Sequence, residues 1–203
     1  NTRTQAAAHV LADGSLVWPF YVAPGNGAYA GYSTDNGQTW SFERIRDTDG
    51  FIGDEWSVVE LSPRRVVGIL RNAHRSGQGR LWKTESRDGG RTWDVPRPTN
   101  LVSTRHAAPA HIFLQGKTPT VVYADRRMVS VSAARTRDPE LLKWDIEGQL
   151  SCYSYNSDDS PIRDGSYAVS APVGQRQRII VDYEIRPDSQ RVTGYFVTFP
   201  ESW

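Results

Sequence analysis

Glu55 and Arg71 stand sixteen residues apart and bracket one hairpin. Asp54-Glu55 precedes the strand Ser57-Val58-Val59-Glu60-Leu61, and Arg71-Asn72 ends the returning strand Val66-Val67-Gly68-Ile69-Leu70. An acid and a guanidinium that open and close the same hairpin share one rim of a sheet. There a planar fork can hold a carboxylate through two parallel charge-assisted hydrogen bonds, which Lys cannot copy. Glu60 falls inside the strand pattern and reads as structural or solvent-facing. A second hairpin ends in Val121-Val122-Tyr123-Ala124-Asp125-Arg126-Arg127, which brings one of two arginines to an equivalent rim, and a third closes on Asp182-Tyr183-Glu184. His106 and His111 flank Pro109 at the start of a hairpin and could line the same rim. None of the histidines has HExxH or Cys-His spacing, so no metal and no other cofactor is expected.

These residues need a scaffold that brings several hairpin rims together, and an internal repeat provides one. Ser33-Thr34-Asp35-Asn36-Gly37-Gln38-Thr39-Trp40 and Ser86-Arg87-Asp88-Gly89-Gly90-Arg91-Thr92-Trp93 both read S-x-D-x-G-x-T-W, 53 residues apart. The pattern describes a tight turn. Asp satisfies turn amides, Gly supplies a positive φ, and Trp starts the returning strand with its indole packed inward, so Trp40 and Trp93 should be buried at equivalent places. Trp144 follows 51 residues after Trp93 without the Ser, Asp and Gly. Before each such segment stands a hairpin: Val10 to Val17 turning at Asp13-Gly14, Val58 to Val67 turning at Ser62-Pro63, and Ile112 to Val122 turning at Gly116. A fourth runs from Ala168 to Val181 with Gly174 in the turn. Four units of an inner and an outer hairpin predict an all-β propeller with blades at about 5–50, 51–104, 105–163 and 164–203. The nearest approach to a helical turn is Arg137 to Glu147, limited by Pro139.

Composition agrees and excludes other classes. Seven Trp, nine Tyr, 17 Gly and 12 Pro in 203 residues suit strands and turns. A net charge of +1 gives no field for nucleic acid. No apolar run approaches the ~20 residues of a membrane span. Cys152 is the only cysteine, so it forms no internal disulfide. The chain begins at Asn1 rather than Met, which is read as a processed or cut end.

S-x-D-x-G-x-T-W resembles the Asp-box of the sialidase (neuraminidase) superfamily, whose members are six-bladed propellers. The likeness continues through the acidic residue, V-V-E-L strand and returning R-N of the second unit, into Arg80 and the second box. It implies that the boxes lie at the blade periphery, and that Arg126 rather than Arg127 is a second substrate arginine. Asp164-Gly165-Ser166-Tyr167-Ala168 resembles the segment where the family's catalytic Tyr opens the last inner hairpin. Tyr167 is then the nucleophile, Glu55 its base, and Glu184 a carboxylate that orients an arginine. A sialic acid carries a carboxylate on its anomeric carbon, so a neutral Tyr avoids the repulsion a carboxylate nucleophile would meet. Tyr has a reference pKa near ~10 and needs an adjacent base.

The resemblance implies a retaining glycoside hydrolase acting on a terminal acidic sugar of a glycan, in a secreted or periplasmic setting. Four blades match the later four of six. The family's first arginine and its Asp acid/base lie in earlier blades. No segment before His9 supplies them, and Arg3 has no motif around it, so the remaining blades are expected on the same or another chain. Two other functions fit the same rim. One is a propeller polysaccharide lyase using Tyr and His beside a uronate carboxylate. The other is a non-catalytic glycan-binding propeller.

Overall fold

A computed structural model describes residues 1–24, 27–74, 79–102, 109–125, 130–154, 164–165 and 167–200. These residues form seventeen strands in four antiparallel sheets, the propeller blades, with no helix. Blade 1 holds β1 (Thr2–Arg3), β2 (His9–Val10), β3 (Leu16–Val22), β4 (Ala28–Ser33) and β5 (Ser41–Arg44). Blade 2 is the meander β6 (Gly53–Ser62), β7 (Arg65–Asn72), β8 (Arg80–Ser86), β9 (Arg97–Val102). Blade 3 repeats it with β10 (His111–Gln115), β11 (Thr118–Asp125), β12 (Ser130–Arg135) and β13 (Leu150–Ser154). Blade 4 comprises β14 (Asp164–Gly165), β15 (Val169–Pro172), β16 (Gln177–Ile185) and β17 (Gln190–Thr198).

The inner edges of the end blades are interrupted. β1 and β2 both pair with β3, at Tyr21–Val22 and Leu16–Val17, leaving Thr4 to Ala8 out of the ladder. β14 and β15 both pair with β16, so among the described residues blade 4 is three strands deep and Tyr167 falls in the break of its inner edge. Gly165, beside that break, has φ +130°, and a Cβ there would lie 2.3 Å from the Tyr183 carbonyl oxygen. Only glycine fits.

Three apolar clusters hold the blades together. Leu11, Val17 and Ala30 pack with Trp56, Val58 and Leu70 between blades 1 and 2. Val59, Ile69 and Leu81 meet Ile112, Val121 and Trp144 between blades 2 and 3. Phe113, Val122 and Ala133 meet Ile180, Val197 and Phe199 between blades 3 and 4. Alternation along each strand sends one set of side chains to each neighbouring blade, so Val58 and Val59 serve different interfaces. Trp56, 1% exposed, also donates its indole N–H to the Phe20 carbonyl at 3.0 Å, tying β6 to β3.

The two S-x-D-x-G-x-T-W segments fold identically, at the turns leading from β4 to β5 and from β8 toward β9. Asp35 accepts from the Thr39 amide (2.9 Å), the Thr39 hydroxyl (2.6 Å) and the Ser33 hydroxyl (2.8 Å). Asp88 takes the same bonds from Thr92 and Ser86. Trp40 and Trp93 donate to the carbonyls of Gly37 and Gly90, which have φ +83° and +93°. Both indoles are half-buried rather than buried, because they cap the turn at the edge of the sheet. Trp144 closes a third turn of this kind, where the sequence suggested a lost motif and a helical piece. Thr136 stands in place of Ser, and Asp138 binds the amides of Leu142 and Lys143 at 3.0 and 2.9 Å. Leu141 occupies the glycine position at φ +54°, and its carbonyl accepts the Trp144 indole at 3.1 Å. One extra residue hides the match.

Candidate active site

Tyr167 reaches across the propeller to blade 2. Its hydroxyl donates to Glu55 Oε1 at 3.0 Å and accepts from Arg71 Nη1 at 3.1 Å. The same Nη1 lies 2.5 Å from Glu55 Oε2, which closes a triangle of phenol, carboxylate and guanidinium. Glu55 is 5% exposed, and the ring of Tyr183 stacks on Tyr167 at 5.5 Å.

Local irregularities aim these side chains. In the β6–β7 ladder Gly53 pairs with Asn72 and Trp56 with Leu70, so β6 carries one extra residue opposite Arg71. This bulge turns both Asp54 and Glu55 toward the guanidinium, where strict alternation would part them. Asp54 Oδ2 lies 3.7 Å from Arg71 Nε. On blade 1, Tyr21 brings its phenol to the same place, within the influence of Glu55, Asp54 and the Arg3 guanidinium.

Burial and charge set the protonation states. Burial first, then the Glu55 charge, hold the Tyr167 phenol well above its ordinary pKa, against the pull of Arg71. The same two causes raise Tyr21. Burial and the neighbouring Glu55 push Asp54 up to about 6, although Arg71 opposes them. Near neutrality the Tyr167 phenol is therefore protonated, and its hydroxyl donates to Glu55.

The other sequence-predicted residues lie elsewhere. Arg126, its alternative Arg127, and His106 fall outside the described residues. Glu184 is 3% exposed and holds Arg186 Nη2 at 2.8 Å and Arg191 Nη1 at 3.2 Å. Both arginines belong to blade 4 and neither is Arg71. The neighbour of Glu184, Tyr183, on the opposite face of β16, stacks on Tyr167 instead. His111 Nδ1 accepts the Ser170 amide at 3.0 Å, which leaves its proton on Nε2. Burial and the Arg178 charge push it down to about 4, so the ring is neutral near pH 7. It lines an axial cavity of about 400 Å³ with Gln5, His9, Ser57 and Ser170, contributed by the inner edges of all four blades. Among the described residues no group of three or more His, Cys, Asp or Glu side chains could hold a metal. Glu60 accepts the amides of Ala12 and Arg64 at 2.7 and 2.9 Å, a structural role joining blades 1 and 2.

Asp54, Tyr21 and Arg3 are the site residues the sequence reading missed. Asp54 was masked by the expectation of alternation. Arg3 sits on a two-residue strand with no motif, although it precedes His9, in the segment set aside as unable to supply an arginine.

A family model described as a BNR repeat-like domain matches residues 2–157. The chain belongs to this family. Solved structures similar to this BNR repeat-like chain share its fold at low identity. A protein of unknown function from Dyadobacter fermentans superposes with a TM-score of 0.77 at 18% identity, covering 98% of this chain and 54% of that one. The NanB sialidase of Streptococcus pneumoniae gives 0.66 at 14%, covering 96% and 30%. The intramolecular trans-sialidase of Ruminococcus gnavus gives 0.63 at 17%, covering 93% and 42%. The BNR repeat-like chain thus spans about half, or less, of these proteins' length. No curated protein matches its sequence.

Proposed function

We propose that this propeller is a retaining glycoside hydrolase of the sialidase type, acting on a terminal acidic sugar of a glycan. The Glu55–Tyr167–Arg71 triangle carries the reading. Tyr167 is the nucleophile: its oxygen attacks the anomeric carbon while Glu55 takes the phenolic proton through the 3.0 Å hydrogen bond already made. The glycosidic bond breaks in the same step, and the aglycone leaves on its oxygen, which is protonated by water. Water then attacks the anomeric carbon, and the proton held on Glu55 returns to the departing phenol oxygen. Arg71 does two things. It stabilises negative charge developing on the phenol oxygen, and its remaining N–H groups face the substrate carboxylate. In this reading Arg3, hydrogen-bonded to the Tyr21 phenol, supplies a second cation.

The lyase alternative draws less support, because the Nδ1 lone pair of His111 is taken by the Ser170 amide and its ring lines the axial cavity rather than meeting Tyr167. The reading is tested by steady-state hydrolysis of an aryl sialoside by the intact protein. Release of the aryl group with retention supports it. An unsaturated sugar product would establish a lyase, and binding without turnover a glycan-binding module.

A further inference from the structure

Arg71 is shared by two carboxyl groups of its own protein. Glu55 takes Nη1 together with Tyr167, while Asp54 stands at Nε, the other edge of the guanidinium, 3.7 Å away with 18% of its side chain exposed. A substrate carboxylate that forks onto Arg71 through Nε and Nη2 needs the edge Asp54 faces. An ionised Asp54 opposes such a ligand twice, by competing for Nε and by repelling its charge.

We propose that Asp54 is an internal competitor for the substrate-binding edge of Arg71, so that an acidic sugar binds only as a proton is taken up on Asp54. The inference rests on the assignment of this site to an acidic sugar. Among the described residues, the charged or titratable groups facing Asp54 are few. Glu55 lies on the same strand, Arg71 on β7, Tyr21 and Arg3 on blade 1, and Tyr167 on blade 4. Both phenols are raised and stay protonated, and Glu55 is held by Arg71 and Tyr167. Asp54, raised to about 6 by burial and by Glu55, is the group that changes charge between mildly acidic and neutral pH. It is neutral below that value and anionic above it, so affinity for an anion rises as pH falls through about 6. Adding the ligand's charge beside Asp54 raises its pKa further, which draws in the proton. Glu55 escapes this role because the bulge points it at the phenol as well.

Calorimetry of the intact protein with free N-acetylneuraminic acid, in buffers of different ionisation enthalpy, reads the linkage directly. Wild type should lose roughly thirtyfold in affinity between about pH 5 and about pH 7.5, and should take up close to one proton per ligand at the higher pH. Asp54→Asn should bind at about pH 7.5 as tightly as wild type does at about pH 5, with no proton uptake. A merely structural aspartate would not give a variant that binds more tightly. The proposal is overturned if Asp54→Asn keeps the pH slope and proton uptake, or binds more weakly than wild type throughout. If wild type binds the sugar acid at neither pH, the assignment of the site falls and the competition with it. Binding with turnover but without proton linkage overturns the competition alone.

Discussion

Tyr167 and Arg71 touch each other but are asked for different things, and substitution should separate them. Tyr167→Phe removes the attacking oxygen while keeping the ring that stacks on Tyr183. We expect turnover of an aryl sialoside to fall at least about a hundredfold with KM nearly unchanged. Unchanged turnover would remove the phenol from the mechanism. Arg71→Lys keeps the charge but loses the planar fork, so KM should rise by about tenfold or more, with a smaller change in kcat. A fall in kcat alone would mean that Arg71 serves the phenol and not the substrate. Glu55 and Arg71 were legible in the sequence because an acid and a base at the two ends of a hairpin must share a rim, whereas Tyr167 was named only through the resemblance of its segment to that of the sialidases. Asp54 was not, since a bulge reverses the alternation that sequence reasoning relies on, and nothing in Gly53-Asp54-Glu55-Trp56 announces the extra residue. Tyr21 was hidden for a simpler reason: in Leu16–Val22 it reads as one more aromatic strand residue.

At the scale of single elements, the Asp-box turns are self-contained and remote from the site. Hydrogen bonds from Thr39, then from Ser33, lower Asp35 to about 2. A carboxyl depressed in the folded protein stabilises it above the unfolded value, and that stabilisation is lost as pH falls through about 2. Asp35→Ala should therefore lower the thermal midpoint at neutral pH, and its deficit against wild type should shrink between about pH 4 and about pH 2. Scanning calorimetry across that range checks this, with kcat at neutral pH expected to stay at the wild-type value. A deficit independent of pH would mean that packing, not the charged hydrogen bonds, accounts for the loss. The first two boxes could be read letter by letter. The third escaped because Asp138 serves it with one residue more, and because Leu141 takes a left-handed conformation that a glycine would be expected to fill. Leu141 is 2% exposed and belongs to the cluster between blades 2 and 3. Burial of its side chain, worth about 1.5–3 kcal/mol, outweighs a backbone cost of roughly 1–2 kcal/mol.

Across the whole molecule, the triangle of Glu55, Arg71 and Tyr167 joins blade 2 to blade 4, with blade 3 between them in the chain. The position of Tyr167 consequently depends on how blade 4 stands on blade 3, and that contact is apolar: Phe199 is 1% exposed and meets Phe113 edge-on at 6.1 Å, with Ile180 and Val122 in the same cluster. The repeat of hairpins and of S-x-D-x-G-x-T-W segments made the radial arrangement of blades readable from sequence. The reach of Tyr167 across the axis was not, since it depends on a break in an inner strand that only the register of β14 and β15 on β16 displays. Phe199→Ala leaves a cavity in that interface and should cost about 3–5 kcal/mol of stability in denaturant titrations. It touches no residue of the triangle, so a rigid blade 4 would leave kcat intact. We expect kcat instead to fall several-fold with little change in KM, because blade 2 supplies Arg71 and keeps its grip on the substrate while the nucleophile of blade 4 loses its placement. Denaturant titration and steady-state kinetics on the same preparation decide it. A large loss of stability with wild-type kcat would show that the contacts of Tyr167 with Glu55 and Arg71 hold blade 4 in place without the interface behind it.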